Sequence, residues 1–159
     1  MAVAGCDHSG QHRADRAVRL ARRPLESFLR RVKNELGFEE AGVTVCLVSD
    51  AEIARMNETF RKKKGPTDVL SFPSAARRRP MRLRRGSGAS INVEYLGDIV
   101  ISAATARRYA RKNGRKLPNE LQVLILHGVL HLLGYDHEKD HGEMERMERK
   151  LRKRLGLAR

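Results

Sequence analysis

Apolar residues recur along this chain with two periods, which predict helices and strands respectively. Between Pro24 and Gly37 they recur every three or four residues, which predicts an amphipathic helix over 24–36. Proline favours the first turn of a helix, where its missing N–H is not needed. The same reasoning predicts four further helices, over about 50–60, 102–114, 118–133 and 140–155.

Short segments rich in β-branched residues and bounded by turn residues predict the strands. This composition is found in GVTVCLVS (42–49), TDVLSFP (67–73) and YLGDIVIS (95–102). RAVRLA (16–21) is predicted to form a fourth, shorter strand. The chain has 159 residues, 40% of them hydrophobic, which is enough to bury one core.

Two segments without a core-forming pattern set the domain organisation. We expect residues 1–15 to be disordered and residues 16–159 to form a single domain. Residues 74–90 carry six arginines and no acidic residue, which predicts a mobile loop. The sequence shows neither an apolar run long enough to cross a bilayer nor a secretory signal, so we expect a cytoplasmic protein. An organellar presequence stays open as the alternative, although Asp7 and Asp15 argue against it.

Net charge is the strongest global feature of the chain. Lys and Arg total 33 against 19 Asp and Glu, which gives a formal net charge of +14. A basic excess of this size favours polyanionic partners, either nucleic acid or an anionic membrane surface, through the release of counterions. Aromatic residues are few, with no Trp, three Tyr and four Phe, so an extensive base-stacking platform is not expected.

Three histidines lie in HGVLHLLGYDH, residues 127–137, at the end of the most apolar predicted helix. His127 and His131 are four residues apart, so they project from the same side of a helix. Gly134 can adopt a left-handed conformation that ends the helix and lets His137 fold back towards them. Three imidazoles would leave the fourth position of a tetrahedral Zn²⁺ open for water, as in a catalytic site. Water bound there has its pKa lowered to about 7, so that hydroxide is present at neutral pH.

The spacing of these histidines is that of the metallopeptidase pattern H-E-x-x-H-x-x-G-x-x-H, with one difference. The position of the general-base glutamate is occupied by Gly128. A metallopeptidase is therefore disfavoured, although it stays open as a rival. A phosphodiester substrate, whose cleavage depends chiefly on charge neutralisation, suits the site and the basic surface better.

Three segments of the chain resemble one known family. HGVLHLLGYDH, NETFRKKKGPTDVLSFP (57–73) and LGDIVIS (96–102) resemble the YbeY family of zinc-dependent, single-strand-specific endoribonucleases that mature rRNA. Phe60 stands where tyrosine is common in the family. The resemblance implies an α+β fold, in which a small four-stranded mixed sheet packs with about five helices. One of these helices would be the histidine-containing, metalloprotease-like helix.

The same resemblance assigns roles to individual residues. His127, His131 and His137 fall on the family's ligands for zinc, with one Zn²⁺ expected per chain. Arg61 falls on its functional arginine, which would hold the scissile phosphate, whereas the alternative is an ordinary surface charge. Asp98 lies in a matched strand and would either orient a ligand or serve as a buried structural aspartate.

The resemblance also implies RNA as the substrate, with either metal-activated water or a neighbouring 2′-hydroxyl as the nucleophile. We expect roles in 3′-end maturation of small-subunit rRNA and in ribosome quality control. The expected partners are rRNA or other single-stranded RNA, the small ribosomal subunit and its assembly factors, and no membrane.

Basic residues near Arg61 and in the 74–90 loop are expected to contact RNA, although a solvated loop without contacts is the alternative. These residues are Lys62, Lys63, Lys64, Arg77, Arg78, Arg79, Arg82, Arg84 and Arg85. A second rival is a non-catalytic assembly factor in which zinc only stabilises the fold.

Overall fold

The chain combines helices and strands in a computed structural model, which describes residues 2–4, 16–75 and 94–157. The elements in order are β1 (Ala2–Ala4), α1 (Arg16–Leu36), β2 (Gly42–Val48), α2 (Asp50–Arg61), β3 (Val69–Pro73), β4 (Tyr95–Ser102), α3 (Ala103–Lys112), α4 (Leu117–Leu132) and α5 (Glu143–Arg154). The five predicted helices are therefore confirmed within these ranges. None of them combines the length and the apolar character that a membrane crossing requires.

The sheet is mixed, with its strands in the order β1-β2-β4-β3. β1 pairs with β2 and β2 pairs with β4 in parallel, whereas β3 runs antiparallel to β4. β2, β3 and β4 correspond to the three strands predicted between 42 and 102, and these three predictions are confirmed. The edge strand β1 has only three residues.

The prediction of a strand over 16–21 is wrong, and the fourth strand of the sheet is β1 instead. These residues form the first turns of α1, which runs through Pro24 instead of beginning there. Arg, Ala and Leu make up most of this segment and are strong helix formers, so they outweigh its one β-branched residue, Val18. Pro24 removes one backbone hydrogen bond without ending the helix.

The expectations for residues 1–15 and 74–90 fall mostly outside the described residues. Of the first segment the structure describes 2–4, which form β1, and of the second it describes 74–75. The predicted disorder of the N-terminal segment and the predicted mobility of the arginine-rich loop therefore stay predictions.

The helix α4 lies at the centre of the hydrophobic core. It contacts α1, α3, α5, β3 and β4, and Leu121, Ile125 and Leu130 on it are fully buried. A helix that is apolar on nearly all sides has to be covered in this way. Only a narrow edge is left half-exposed, and His127 and His131 lie on that edge.

The two faces of the sheet bury different groups of side chains. Ile99 and Ile101 of β4 pack into the core with α1 and α4, whereas Val100 packs on the opposite face with Ile53 of α2. This division follows from the alternation of side chains along a strand. The sheet therefore separates α4, which carries two of the histidines, from α2, which carries Arg61.

At Gly128 the helix α4 packs on the sheet without a side chain of its own in between. A Cβ at this position would lie 2.7 Å from Ile99 Cγ2 and 3.1 Å from Ser71 Oγ. The Ser71 hydroxyl donates a hydrogen bond to the Gly128 carbonyl over 3.2 Å. Both β3 and β4 therefore touch α4 at this glycine.

A Gly128→Ala substitution is expected to lower the free energy of unfolding by about 1–3 kcal/mol, because the new methyl group overpacks the contact with Ile99. Helix propensity alone would favour alanine by about 1 kcal/mol, so the sign of the change separates the two effects. Urea unfolding followed by circular dichroism measures it. Adding Ile99→Ala removes the clashing atom, so the cost of Gly128→Ala should be smaller in that background. If Gly128→Ala were as stable as the wild type, the close contact would be contradicted.

Candidate metal centre

The last turn of α4 and the loop after it bring the third histidine of the motif back to the helix. Gly134 has a φ of 94°, a left-handed conformation that favours glycine. Its N–H donates to the carbonyl of His131 over 2.9 Å, and the N–H of Tyr135 donates to that of Leu130 over 3.1 Å. These bonds end the helix and reverse the chain, so that His137 lies beside the two earlier histidines.

The three histidines are close enough to share one ion. One ring nitrogen from each of His127, His131 and His137 can be chosen so that all three lie within 4.8 Å of one another. The Nε2 atoms of His127 and His131 are 3.1 Å apart. The ring centres are separated by 4.7, 5.4 and 5.2 Å. The structure thus brings together the three ligands that the sequence motif predicts.

The donor set fits zinc. Two nitrogens bound to one tetrahedral zinc at ~2.0–2.1 Å lie roughly 3.4 Å apart, which is close to the observed Nε2 separation. Burial and then the charges of His127 and His137 lower the pKa of His131 to about 4, although a hydrogen bond with the Tyr135 backbone raises it. At neutral pH His131 is therefore a neutral imidazole, the form that is able to bind a metal ion. A set of nitrogen donors also suits zinc better than magnesium or calcium.

A carboxylate that the sequence analysis did not identify orients one of the three rings. Nδ1 of His127 lies 3.0 Å from Oε2 of Glu148 in α5, and the other oxygen of Glu148 accepts a hydrogen bond from Arg152. Burial raises the pKa of Glu148, but the hydrogen bond from His127 and the charge of Arg152 outweigh burial and lower it overall. An ionised Glu148 holds the Nδ1 proton of His127, which leaves Nε2 free to face the other two histidines.

The sequence contains a signal that would have identified Glu148. In α5 it lies four residues after Met144 and three before Leu151, so it falls within the apolar stripe of that helix. Its side chain is only 13% exposed. A carboxylate in a buried stripe needs a partner, and here the partners are an imidazole and a guanidinium.

Arg61 lies at the C-terminal end of α2, at the rim of a cleft that has the histidines on its wall. The cleft has a volume of about 800 Å³ and is lined by the end of α2, by residues 67–73 and by the loop 134–139. Buried Asn57 donates a hydrogen bond to the Gly65 carbonyl over 3.0 Å, which fixes the segment after Arg61. The structure therefore places Arg61 and the three histidines in one cavity.

Two cations on the rim share one carboxylate. Oε1 of Glu138 accepts hydrogen bonds from Arg61 over 3.0 Å and from Lys63 over 3.1 Å. The hydrogen bond from Lys63 and then the charges of Lys63 and Arg61 lower the pKa of Glu138. Because Glu138 directly follows His137, these ion pairs join the end of α2 to the loop that carries the third ligand.

The other basic candidates are distributed unevenly. Lys63 lines the cleft, whereas Lys62 and Lys64 are exposed and are not among the lining residues. The Lys62 ammonium donates to the carbonyl of Thr59 over 3.0 Å. The six arginines of the 74–90 loop lie outside the described residues.

Asp68 is a second cleft residue that the sequence analysis did not single out. Its Oδ1 accepts hydrogen bonds from the Val69 N–H over 2.9 Å and from the Thr67 hydroxyl over 3.1 Å. It lines the same cavity as the histidines. Its position immediately before β3 could have identified it from the sequence, because the sheet holds a polar side chain at the end of a strand in a defined place.

The structure does not bring Asp98 to the histidines. Its carboxylate accepts a hydrogen bond from the Tyr95 hydroxyl, which also contacts the Thr44 hydroxyl over 2.7 Å. Asp98 is not among the residues that line the cleft. Its proposed part in orienting a ligand stays a prediction, and among the described residues Glu148 makes the contact that such a part requires.

A Glu148→Ala substitution is expected to weaken zinc binding about 10- to 100-fold, because it removes the group that holds the His127 ring. Competition with a chromophoric chelator at pH 7 measures the affinity. Glu145→Ala is the matched control, since Glu145 lies on the same helix and pairs with Arg149 four residues later, but is exposed. Equal zinc affinity in the two variants would contradict the orienting role.

Comparison with known proteins relates these features to one family. The sequence model described as Endoribonuclease YbeY matches residues 7–156. Endoribonuclease YbeY of Solibacter usitatus is 43% identical over 143 residues, which cover 89% of this chain and 85% of that protein. Endoribonuclease YbeY of Aquifex aeolicus is 42% identical over 127 residues, which cover 80% of this chain and 76% of that protein.

The fold also has a counterpart among solved structures. The solution structure of TM1509 from Thermotoga maritima is similar to this chain with a TM-score of 0.57 and 28% sequence identity. The similarity covers 92% of this chain and 85% of that chain. The family match over most of the chain confirms the resemblance seen in the three motifs, and the chain belongs to the YbeY family of endoribonucleases.

Proposed function

We propose that this chain is a single-strand-specific endoribonuclease whose active centre is one zinc ion held by His127, His131 and His137. One observation carries the proposal: three imidazoles converge on the wall of a cleft whose rim carries Arg61 and Lys63. A nitrogen-lined metal centre beside two cations suits a phosphodiester, because charge on the phosphoryl oxygens has to be neutralised as the bond breaks. The endoribonuclease names of the relatives point to the same substrate.

Zinc in this centre would supply a Lewis acid that polarises a phosphoryl oxygen and lowers the pKa of a bound water. Residues of the chain would orient the ligands and bind the substrate. Glu148 holds the His127 ring in place, and Arg61 binds the scissile phosphate and stabilises its developing charge. Because Glu138 holds Arg61 and Lys63 in the absence of substrate, an RNA phosphate has to take over these two cations.

We further propose that the substrate is rRNA, in 3′-end maturation of the small subunit and in ribosome quality control. The net charge of +14 supports a large polyanionic partner, since each phosphate neutralised by a cation releases counterions. The small ribosomal subunit and its assembly factors are the partners that bring such RNA to the cleft.

The surroundings of Gly128 argue against the metallopeptidase alternative. A peptidase needs a glutamate at this position, yet a Cβ here would meet Ile99 and Ser71 of the sheet. Gly128 is buried and is not among the residues that line the cleft. A glutamate at 128 would therefore point into the α4–sheet contact and away from the cleft.

Two assays with zinc-loaded protein test the proposal. We expect cleavage of single-stranded RNA that stops when a chelator is added and returns with zinc. An Arg61→Ala variant should keep its zinc and its fold but lose about 100- to 1,000-fold in kcat/KM, since one group that stabilises transition-state charge is removed. Arg55→Ala, which replaces another exposed arginine of α2 outside the cleft, is the control and should retain activity.

Several outcomes would contradict the proposal. Full activity of Arg61→Ala would remove its assigned role, and degradation of unstructured protein in place of RNA would favour a peptidase. RNA binding without cleavage would favour a non-catalytic assembly factor. The product ends also identify the nucleophile: water leaves a 5′-phosphate and a 3′-hydroxyl, whereas the RNA 2′-hydroxyl leaves a 2′,3′-cyclic phosphate.

A further inference from the structure

We propose that Phe60 is a stacking site for one nucleobase of the bound RNA, next to the phosphate held by Arg61. The inference rests on the proposed function and adds to it a base-binding subsite. A phenyl ring at this place would favour single-stranded RNA, because a base inside a duplex already stacks on its neighbours and has to be freed first.

The exposure of Phe60 is the first observation. Its hydrophobic spacing with Ile53 and Met56 predicts a core position, yet the ring is 66% exposed. In the described part of the chain only Tyr109, at 41%, is another exposed large hydrophobic side chain. Packing does not require the exposed ring, since α2 is anchored on the sheet through fully buried Ile53.

The support behind the ring is the second observation. The rings of Phe60 and Phe72 are 5.1 Å apart and inclined by 73°, an edge-to-face contact. Phe72 itself packs against the buried cluster of β2, α2 and β4 side chains, so it gives Phe60 a fixed neighbour. In an edge-to-face pair, Phe72 covers at most one face of the Phe60 ring. With 66% of the side chain exposed, ring surface of Phe60 remains accessible to a planar ligand.

The location of the ring is the third observation. Phe60 and Phe72 line the same cleft as the three histidines, and Phe60 directly precedes Arg61 in the chain. Arg61 lines this cleft as well, so a flat apolar surface and a guanidinium face the same cavity, as an RNA strand requires when it presents a base and its phosphate together. Every base has a π-face, so such a site selects for an accessible base and tolerates different sequences.

The test measures equilibrium binding of a short, fluorescently labelled 2′-O-methyl RNA to the zinc-loaded protein. Phe60→Leu keeps an apolar side chain but removes the ring, and it should weaken binding about 5- to 150-fold, the range measured for loss of one stacked base. Phe60→Tyr and Phe60→Trp should bind as the wild type does. Tyr109→Leu is the matched control and should bind normally, because Tyr109 is the exposed aromatic residue that does not line this cleft.

A series of RNAs with one abasic ribose at successive positions identifies the partner of the ring. At one position the abasic RNA should bind the wild type more weakly, and Phe60→Leu should then cause no further loss. If Phe60→Leu bound as tightly as the wild type, or lost the same factor at every abasic position, the stacking site would be refuted. Unmodified RNA of the same sequence, which keeps its 2′-hydroxyls, is then incubated with the zinc-loaded protein. Binding with this pattern but without cleavage would refute the proposed nuclease function and leave the subsite standing.

Discussion

The contact between α4 and the sheet at Gly128 sets the direction in which His127 and His131 point. Because no side chain separates the helix from Ile99, α4 has a fixed rotation about its own axis. Helical geometry then places His127 and His131 on one side of the helix, roughly a quarter turn away from Gly128. Gly128, which stands where a peptidase has its glutamate, is thus the residue at which α4 packs closely on the sheet. The two histidines face the cleft as a consequence.

Three elements that are distant in sequence contribute to the cleft. α4 and the loop after it supply the imidazoles, the end of α2 supplies Arg61 and Lys63, and α5 supplies Glu148 behind His127. The ion pairs of Glu138 with the two cations are exposed, with about half of each acidic and arginine side chain accessible at 48% and 41%. Exposed pairs of this kind are weak and screened by salt, so an RNA phosphodiester, which carries the same single negative charge, can replace the carboxylate. Glu138 therefore holds Arg61 and Lys63 in place without preventing a phosphate from binding to them.

Local patterns predicted the parts of this structure that depend on neighbours in sequence. The helical spacing of His127 and His131 and the turn at Gly134 fixed the histidine cluster, and β-branched segments located three strands. The prediction for 16–21 was wrong because one β-branched residue in six is a weak signal beside the helix propensity of arginine and alanine. The contact of Glu148 with His127 and the exposed ring of Phe60 depend on how distant elements pack. Periodicity places Glu148 in a buried stripe but does not identify its partner.

X-ray absorption spectroscopy at the zinc K edge tests the central claim most directly, namely that three imidazoles share one ion and leave one position open. Protein loaded with one equivalent of zinc should show three imidazole ligands and one further oxygen ligand, all at ~2.0–2.1 Å. The imidazole scattering should decrease when His137 is replaced by alanine. A sulfur ligand, a fourth imidazole, or a spectrum that does not change in the His137→Ala variant would contradict the account.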